Sequence, residues 1–158
     1  MRERDTGRPQ RAATGRLAIA AGALLILAAG VATADSHAVV PRTTAPEGAR
    51  VYFISPGDGE SVESPVTVRF GLSGAGVAPA GVERAGTGHH HLLIDTELAD
   101  PAVPVPSDAR HRHFGGGQTE VVLELEPGRH TLQLVLGDHL HVPHDPPIVS
   151  DRIVINVR

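Results

Sequence analysis

The sequence predicts an all-β protein, a small immunoglobulin-like antiparallel β-sandwich with long His-bearing loops. Three observations point there. From Arg50 onward, short runs alternate apolar and polar residues with a period of two, the signature of half-buried strands. Gly and Pro punctuate those runs, and no helix-length period of 3.6 residues interrupts them. The stretch is also the right size, since about 110 residues accommodate six or so strands in two packed layers.

Taken in order, residues 50–55 form the first candidate strand. Val66, Val68, Phe70 and Leu72 then share one face, with Thr67 and Arg69 on the other. Residues 89–95 make a further candidate. Val121, Leu123 and Leu125 oppose Glu120, Glu124 and Glu126, while Leu132, Leu134 and Leu136 oppose Arg129, Thr131 and Gln133. Ile153, Ile155 and Val157 close the series against Arg152, Asn156 and Arg158. Glu126-Pro127-Gly128 is a tight connection, so the runs on either side of it are expected to pair as a hairpin. The aromatic that often follows Pro-Gly at such a corner is replaced here by His130, in phase with the Leu face and expected to be a hydrogen-bonded structural residue. A small barrel gives the same alternation and leaves strand order open. Two irregular stretches, 74–88 and 96–118, interrupt the strands and carry His at or near their ends. Connections this long inside a compact domain are usually functional or disordered.

Composition narrows the chemistry. The 158 residues include 14 basic ones, all Arg, 18 acidic ones, no Cys, no Trp and a single Met. Without Cys there is no disulfide framework, no thiolate metal site and no Cys nucleophile. With 3% aromatics, base-stacking platforms for nucleic acid are not expected. Residues 1–16 hold five Arg, residues 17–31 are uncharged and apolar, and Ala32-Thr33-Ala34 is a small-x-small triplet. That arrangement reads as a signal peptide over 1–34, with an uncleaved N-terminal anchor as the alternative. The protein is therefore expected to be exported, periplasmic or extracellular, with no other membrane association. Residues 35–49 read as a flexible tether and 50–158 as the single domain. Beyond residue 34 nine Arg face 16 acidic groups, a net charge of −7 that suits cations and disfavours nucleic acid.

Histidine is the exceptional residue, with ten in the chain and nine of them from His89 to His144. Apart from His130, these nine fall into three clusters: His89-His90-His91, His111-Arg112-His113, and His139, His141 and His144 between Asp138 and Asp145. In a strand, residues i and i+2 face the same way, so His89 and His91 share a face with Asp95, and His90 turns inward with Leu92 and Ile94. Imidazoles presented in this way suit a divalent transition metal, Zn or Cu. The expected ligands are His89, His91, His113, His141 and His144. His90, Asp95, Gln118, Glu120 and Asp138 are expected around them, where a carboxylate or amide fixes ring tautomers. The glycines after Phe114 permit a close backbone approach, and Pro143, Pro146 and Pro147 stiffen the loop of His141 and His144.

The segments Gly-His-His-His-Leu-Leu-Ile-Asp (88–95), His-Phe-Gly-Gly-Gly-Gln-Thr-Glu (113–120), Pro-Gly-Arg-His-Thr-Leu-Gln-Leu (127–134) and His-Val-Pro-His-Asp-Pro-Pro (141–147) resemble the bacterial exported family catalogued as domain of unknown function 4399. The resemblance runs from about Val51 to Val157. It implies that His89, His90, His91, His113, His130, His141, His144, Asp95, Gln118, Glu120 and Asp138 lie on the family's pattern, with His111 and His139 as additions of this chain. It implies a fold and a location and assigns no activity.

Three functions compete on the sequence: a metal-binding domain with a metal ion as its partner, a non-catalytic envelope adhesion or scaffold module with structural histidines, and a metalloenzyme of undefined reaction. No nucleophile elbow, phosphate loop or dinucleotide fingerprint is present to carry another chemistry.

Overall fold

The structure, a computed structural model, describes residues 42–158, so the expected signal peptide lies outside the described residues. Among the described residues there are nine strands and no helix. They are β1 (Arg50–Ser55), β2 (Ser61–Val62), β3 (Val66–Ser73), β4 (Gly76–Val77), β5 (Thr87–Ile94), β6 (His111–His113), β7 (Glu120–Leu123), β8 (Gly128–Gly137) and β9 (Ile153–Val157). Strands β1-β3-β7 make one sheet, and β2-β9-β8-β5-β4 make the other, with β6 pairing β5. The two sheets pack face to face as an immunoglobulin-like sandwich. Most pairings are antiparallel, but β2–β9 and β4–β5 are short parallel ones, so the larger sheet is mixed.

The alternating runs bury the faces expected of them. Val66, Val68 and Phe70 from β3, Leu92 and Ile94 from β5, and Leu132, Leu134 and Leu136 from β8 meet in one core with Ile153, Ile155 and Val157. Each such side chain contributes about 1.5–3 kcal/mol by leaving water. The larger sheet is covered on its outer side too. There Leu93 and Val135 pack with Val105 and Leu98 from the 96–110 connection in a second, smaller cluster. Every residue of β5 from Gly88 to Ile94 is therefore buried.

The expected hairpin across 126–128 does not form. Strand β7 pairs β3, whereas β8 pairs β5 and β9 in the other sheet. The turn carries the chain from one sheet to the other. Alternation specifies which face is buried but not which strand is the neighbour, and both runs bury their apolar face in the same core from opposite sides. Leu125 N–H donates to Ser64 Oγ, and Gly128 takes φ +144° where the chain crosses. His130 then secures the corner, with Nε2 2.9 Å from the Glu126 carbonyl and Nδ1 2.7 Å from Asp95 Oδ2. The structural role expected of His130 holds.

The described part of the expected tether is not free. Thr43 and Ala45 exchange backbone hydrogen bonds with Asp145. Arg42 donates to the carbonyls of Pro143 and His144 and forms an ion pair of 3.0 Å with Asp145. These polar side chains find partners on the 138–145 loop, which composition alone does not reveal.

Candidate metal centre

Strand β5 presents His89 and His91 on its outer face, away from the main core. Antiparallel pairing sets His113 of β6 directly opposite His91. The fourth ring, His141, comes from the loop that follows β8. Ring centroids lie 4.8 Å apart for His89–His91, 4.9 Å for His89–His113, 5.0 Å for His89–His141 and 4.7 Å for His113–His141. His91 stands 5.1 Å from His113 and 6.0 Å from His141. One ring nitrogen from each of His89, His113 and His141 lies within 4.8 Å of the other two, and among the described residues this is the group that could hold a metal ion.

Room for the rings comes from glycine. A Cβ on Gly137, which pairs with His89, would stand 2.8 Å from His91 Nε2. A Cβ on Gly115 would stand 2.4 Å from His113 Cε1. Any side chain at either position occupies the space a ring needs, so the glycine expected to give a close backbone approach serves His113.

His141 is held by its loop. Its φ of +68° lies in the left-handed region, which costs a non-glycine residue about 1 kcal/mol or more and persists where surrounding bonds over-determine it. Those bonds converge on Asp138, which is buried. Asp138 Oδ1 accepts the N–H groups of Leu140 and Val142 at 2.9 and 3.1 Å, and Oδ2 accepts the Thr43 hydroxyl at 2.7 Å. His141 N–H donates to the Asp138 carbonyl, and the His141 carbonyl accepts from Val105 N–H. Asp138 touches no ring of the cluster by hydrogen bond and acts by shaping the turn.

Burial and mutual repulsion keep His89, His91 and His113 neutral. Burial, then the neighbouring His113 and His141, push His89 down to about 4. Burial, followed by His89, His113 and His141, brings His91 to about 3. His113 is lowered by burial and by His141. At neutral pH each such ring carries one nitrogen with a lone pair, and on whichever of His89 and His91 accepts from the other that lone pair is engaged. Burial has left several nitrogens unsatisfied: His89 Nδ1, His91 Nδ1 and His113 Nε2 have no hydrogen-bond partner. His91 Nε2 lies 3.1 Å from His89 Nε2, so one donates to the other.

The remaining expected residues divide. His90 turns inward as its phase requires and packs against Phe70, ring centroids 4.8 Å apart and planes tilted by 52°. Neither of its nitrogens completes a hydrogen bond, and burial lowers it to about 4, with the nearby Gln118 backbone opposing the effect. His144 lies apart from the four rings. Its Nδ1 is 3.3 Å from the Leu136 carbonyl, and its Cε1 borders Gly88 on the core side of β5. Asp95 does not continue the His89–His91 face, because its φ of +53° ends the alternation and turns its carboxylate to His130 and the Thr131 N–H. Glu120 belongs to the opposite sheet and pairs with Arg69 at 3.0 Å. The Gln118 amide oxygen accepts from Gly116 N–H. His111 bonds Asp108 at 2.9 Å.

Sequence reasoning missed Thr43 and Gly137. A Gly opposite a His in the antiparallel register was the available signal for Gly137. Nothing local marks Thr43, whose partner lies 95 residues away.

The donor set fits a transition metal: imidazoles only, with His89 buried and His113 and His141 partly so, unpartnered nitrogens and glycine-made clearance. Among solved structures, the fibronectin(III)-like modules of CbhA from Clostridium thermocellum match with 10% identity and a TM-score of 0.33, over 68% of this chain and 92% of that one. At that score the likeness adds nothing to the strand pairing given above. The chain matches none of the curated proteins. A family model described as domain of unknown function (DUF4399) matches residues 68–158, a span that takes in all four rings of the cluster, and the chain belongs to that family.

Proposed function

We propose that this protein is an exported domain that binds one divalent transition-metal ion, Zn²⁺ or Cu²⁺, through His89, His113 and His141. The observation that carries the reading is that three chain segments bring ring nitrogens within 4.8 Å of one another in a place where burial leaves nitrogens unpartnered. Around Zn²⁺, with metal–nitrogen distances of about 2.0–2.1 Å, ligand nitrogens stand about 3.3–3.4 Å apart. The nitrogens therefore need to close by about 1.5 Å at most. The loop position of His141 supports that adjustment. A scaffold role for the histidines would tie each ring to a carbonyl or carboxylate, as at His130 and His111. The cluster lacks those ties, and an unpaired buried polar atom costs about 1–3 kcal/mol with no return unless something binds it.

Elemental analysis of the tag-free protein tests the reading. About one metal per chain is expected, falling to background in the double variant His89→Ala, His141→Ala. A chain that binds no metal after exposure to Zn²⁺ or Cu²⁺, or a double variant that keeps it, refutes the site.

A further inference from the structure

We infer that the bound metal keeps an open coordination position that takes a small anion from solvent. This rests on the metal reading above and extends it from a closed store to a centre with an exchangeable ligand. Three observations carry it.

The first is that His91 stands 6.0 Å from His141, the widest of the ring separations, and lies outside the group of three. With His89 Nε2–H donating to His91 Nε2 at 3.1 Å, the lone pair of His89 is on Nδ1, which has no partner, and His91 orients that ring as acceptor. His91 is then a positioning residue, and the group of nitrogens that can share an ion has three members. Three protein ligands with a water or substrate in the fourth place is the arrangement of reactive zinc sites, whereas structural sites have four.

The second observation concerns charge. Neutral imidazoles leave the two positive charges of the ion uncompensated, and the nearby carboxylates are taken. Asp138 spends both oxygens on Leu140, Val142 and Thr43. Asp108 accepts from His111 Nδ1 and from the N–H groups of Arg110 and His111. A partly buried dication without a carboxylate ligand favours an anion drawn from solution.

The third is access. His113 forms part of the wall of an open depression of about 370 Å³, lined also by Ser107, Asp108, Ala109, His111 and Arg112. Arg112 gives that mouth a cationic side chain for an anion to meet, while the Asp108 carboxylate beside it is turned to the N–H groups of Arg110 and His111. The same ring thus faces the metal group on one side and solvent on the other.

Azide is the probe. Full-length protein loaded with one equivalent of Cu²⁺ is titrated with azide and followed by charge-transfer absorption and electron paramagnetic resonance. A saturable spectral change is expected. At low salt, Arg112→Ala is expected to weaken azide binding about threefold, the scale of one partly screened charge. His91→Gln is expected to weaken metal affinity about tenfold, as loss of an orienting bond does, while the loaded variant still responds to azide. Copper bound at one per chain with no azide response overturns the inference and leaves the metal site standing. An azide response seen only in His91→Gln also overturns it, because His91 would then have filled the fourth place. Failure to bind copper at all brings down both readings.

Discussion

Acidifying the metal-free protein from pH 7 to pH 5 is expected to destabilise it strongly. His89, His90 and His91 ionise in the folded state at about 4, 4 and 3, against an unfolded value of 6.5. Between those limits the unfolded chain binds more protons, so stability falls as pH falls. A single His with a folded value near 4 loses about 2 kcal/mol between pH 7 and pH 5. His90 contributes that amount separately, on the core side of β5. His89 and His91 share one space, so their losses overlap, and the three together give about 4–6 kcal/mol. That is a large part of the roughly 5–15 kcal/mol by which domains are stable. His130 opposes the trend. Burial alone would lower it, but the bonds to Asp95 and Glu126 hold it above its ordinary value. The stability it supplies is full below pH 6.5 and is lost as pH rises through that raised value. Asp95 and Asp138, both held below the usual carboxylate range, matter only under more acid conditions. Urea unfolding in chelator at pH 7, 6 and 5 measures the slope, and His90→Leu should flatten it by about 2 kcal/mol over the range. A stability that stays level or rises toward pH 5 would refute the claim that these rings are buried and neutral.

Two further outcomes follow from packing. Gly137→Ala places a methyl 2.8 Å from His91 Nε2, and overpacking of this kind costs about 1–3 kcal/mol. Its melting temperature and metal content should both fall, and an unchanged metal content would show that the ring has room to move. Thr43→Val removes the hydroxyl that Asp138 accepts and should cost about 1–2 kcal/mol in urea unfolding. It should also speed amide exchange at Leu140 and Val142, and unaltered protection there would separate Thr43 from the turn.

What was legible in the sequence was whatever a period of two controls. The phase of β5 sorted His89 and His91 from His90, and the Leu run of β8 pointed its side chains to the core as expected. What was not legible depended on pairing at a distance. The hairpin across 126–128 was a local inference from a tight turn, and it failed because the same alternation is satisfied by two strands facing each other across the core. Strand β6 was hidden because three residues, His111–His113, give no period of their own. Leu98 and Val105 carry no pattern either, yet they cover Leu93 and Val135 on the outer side of the larger sheet, while the rings of His113 and His141 stand against His89 and His91. Asp95 was misplaced for a related reason. A strand's alternation does not extend past its end, and beyond β5 a φ of +53° redirects the next side chain.

The segment before β1 bears most directly on how the site works. Its composition reads as a linker, but residues 42–45 run beside the loop that carries His141 and bond to it by backbone, hydroxyl and guanidinium. Of the three grouped rings, His89 and His113 sit on paired strands, where backbone hydrogen bonds fix them. Only His141 depends on a turn, and that turn holds a left-handed residue that it would relax if released. The tension is contained by Asp138, and Asp138 in turn leans on Thr43. The completeness of the histidine group is therefore linked to the docking of the chain that leads into the domain. A force or partner that draws the N-terminal segment away loosens His141 first and leaves the strand-borne rings in place, so the site opens at the ligand best able to move.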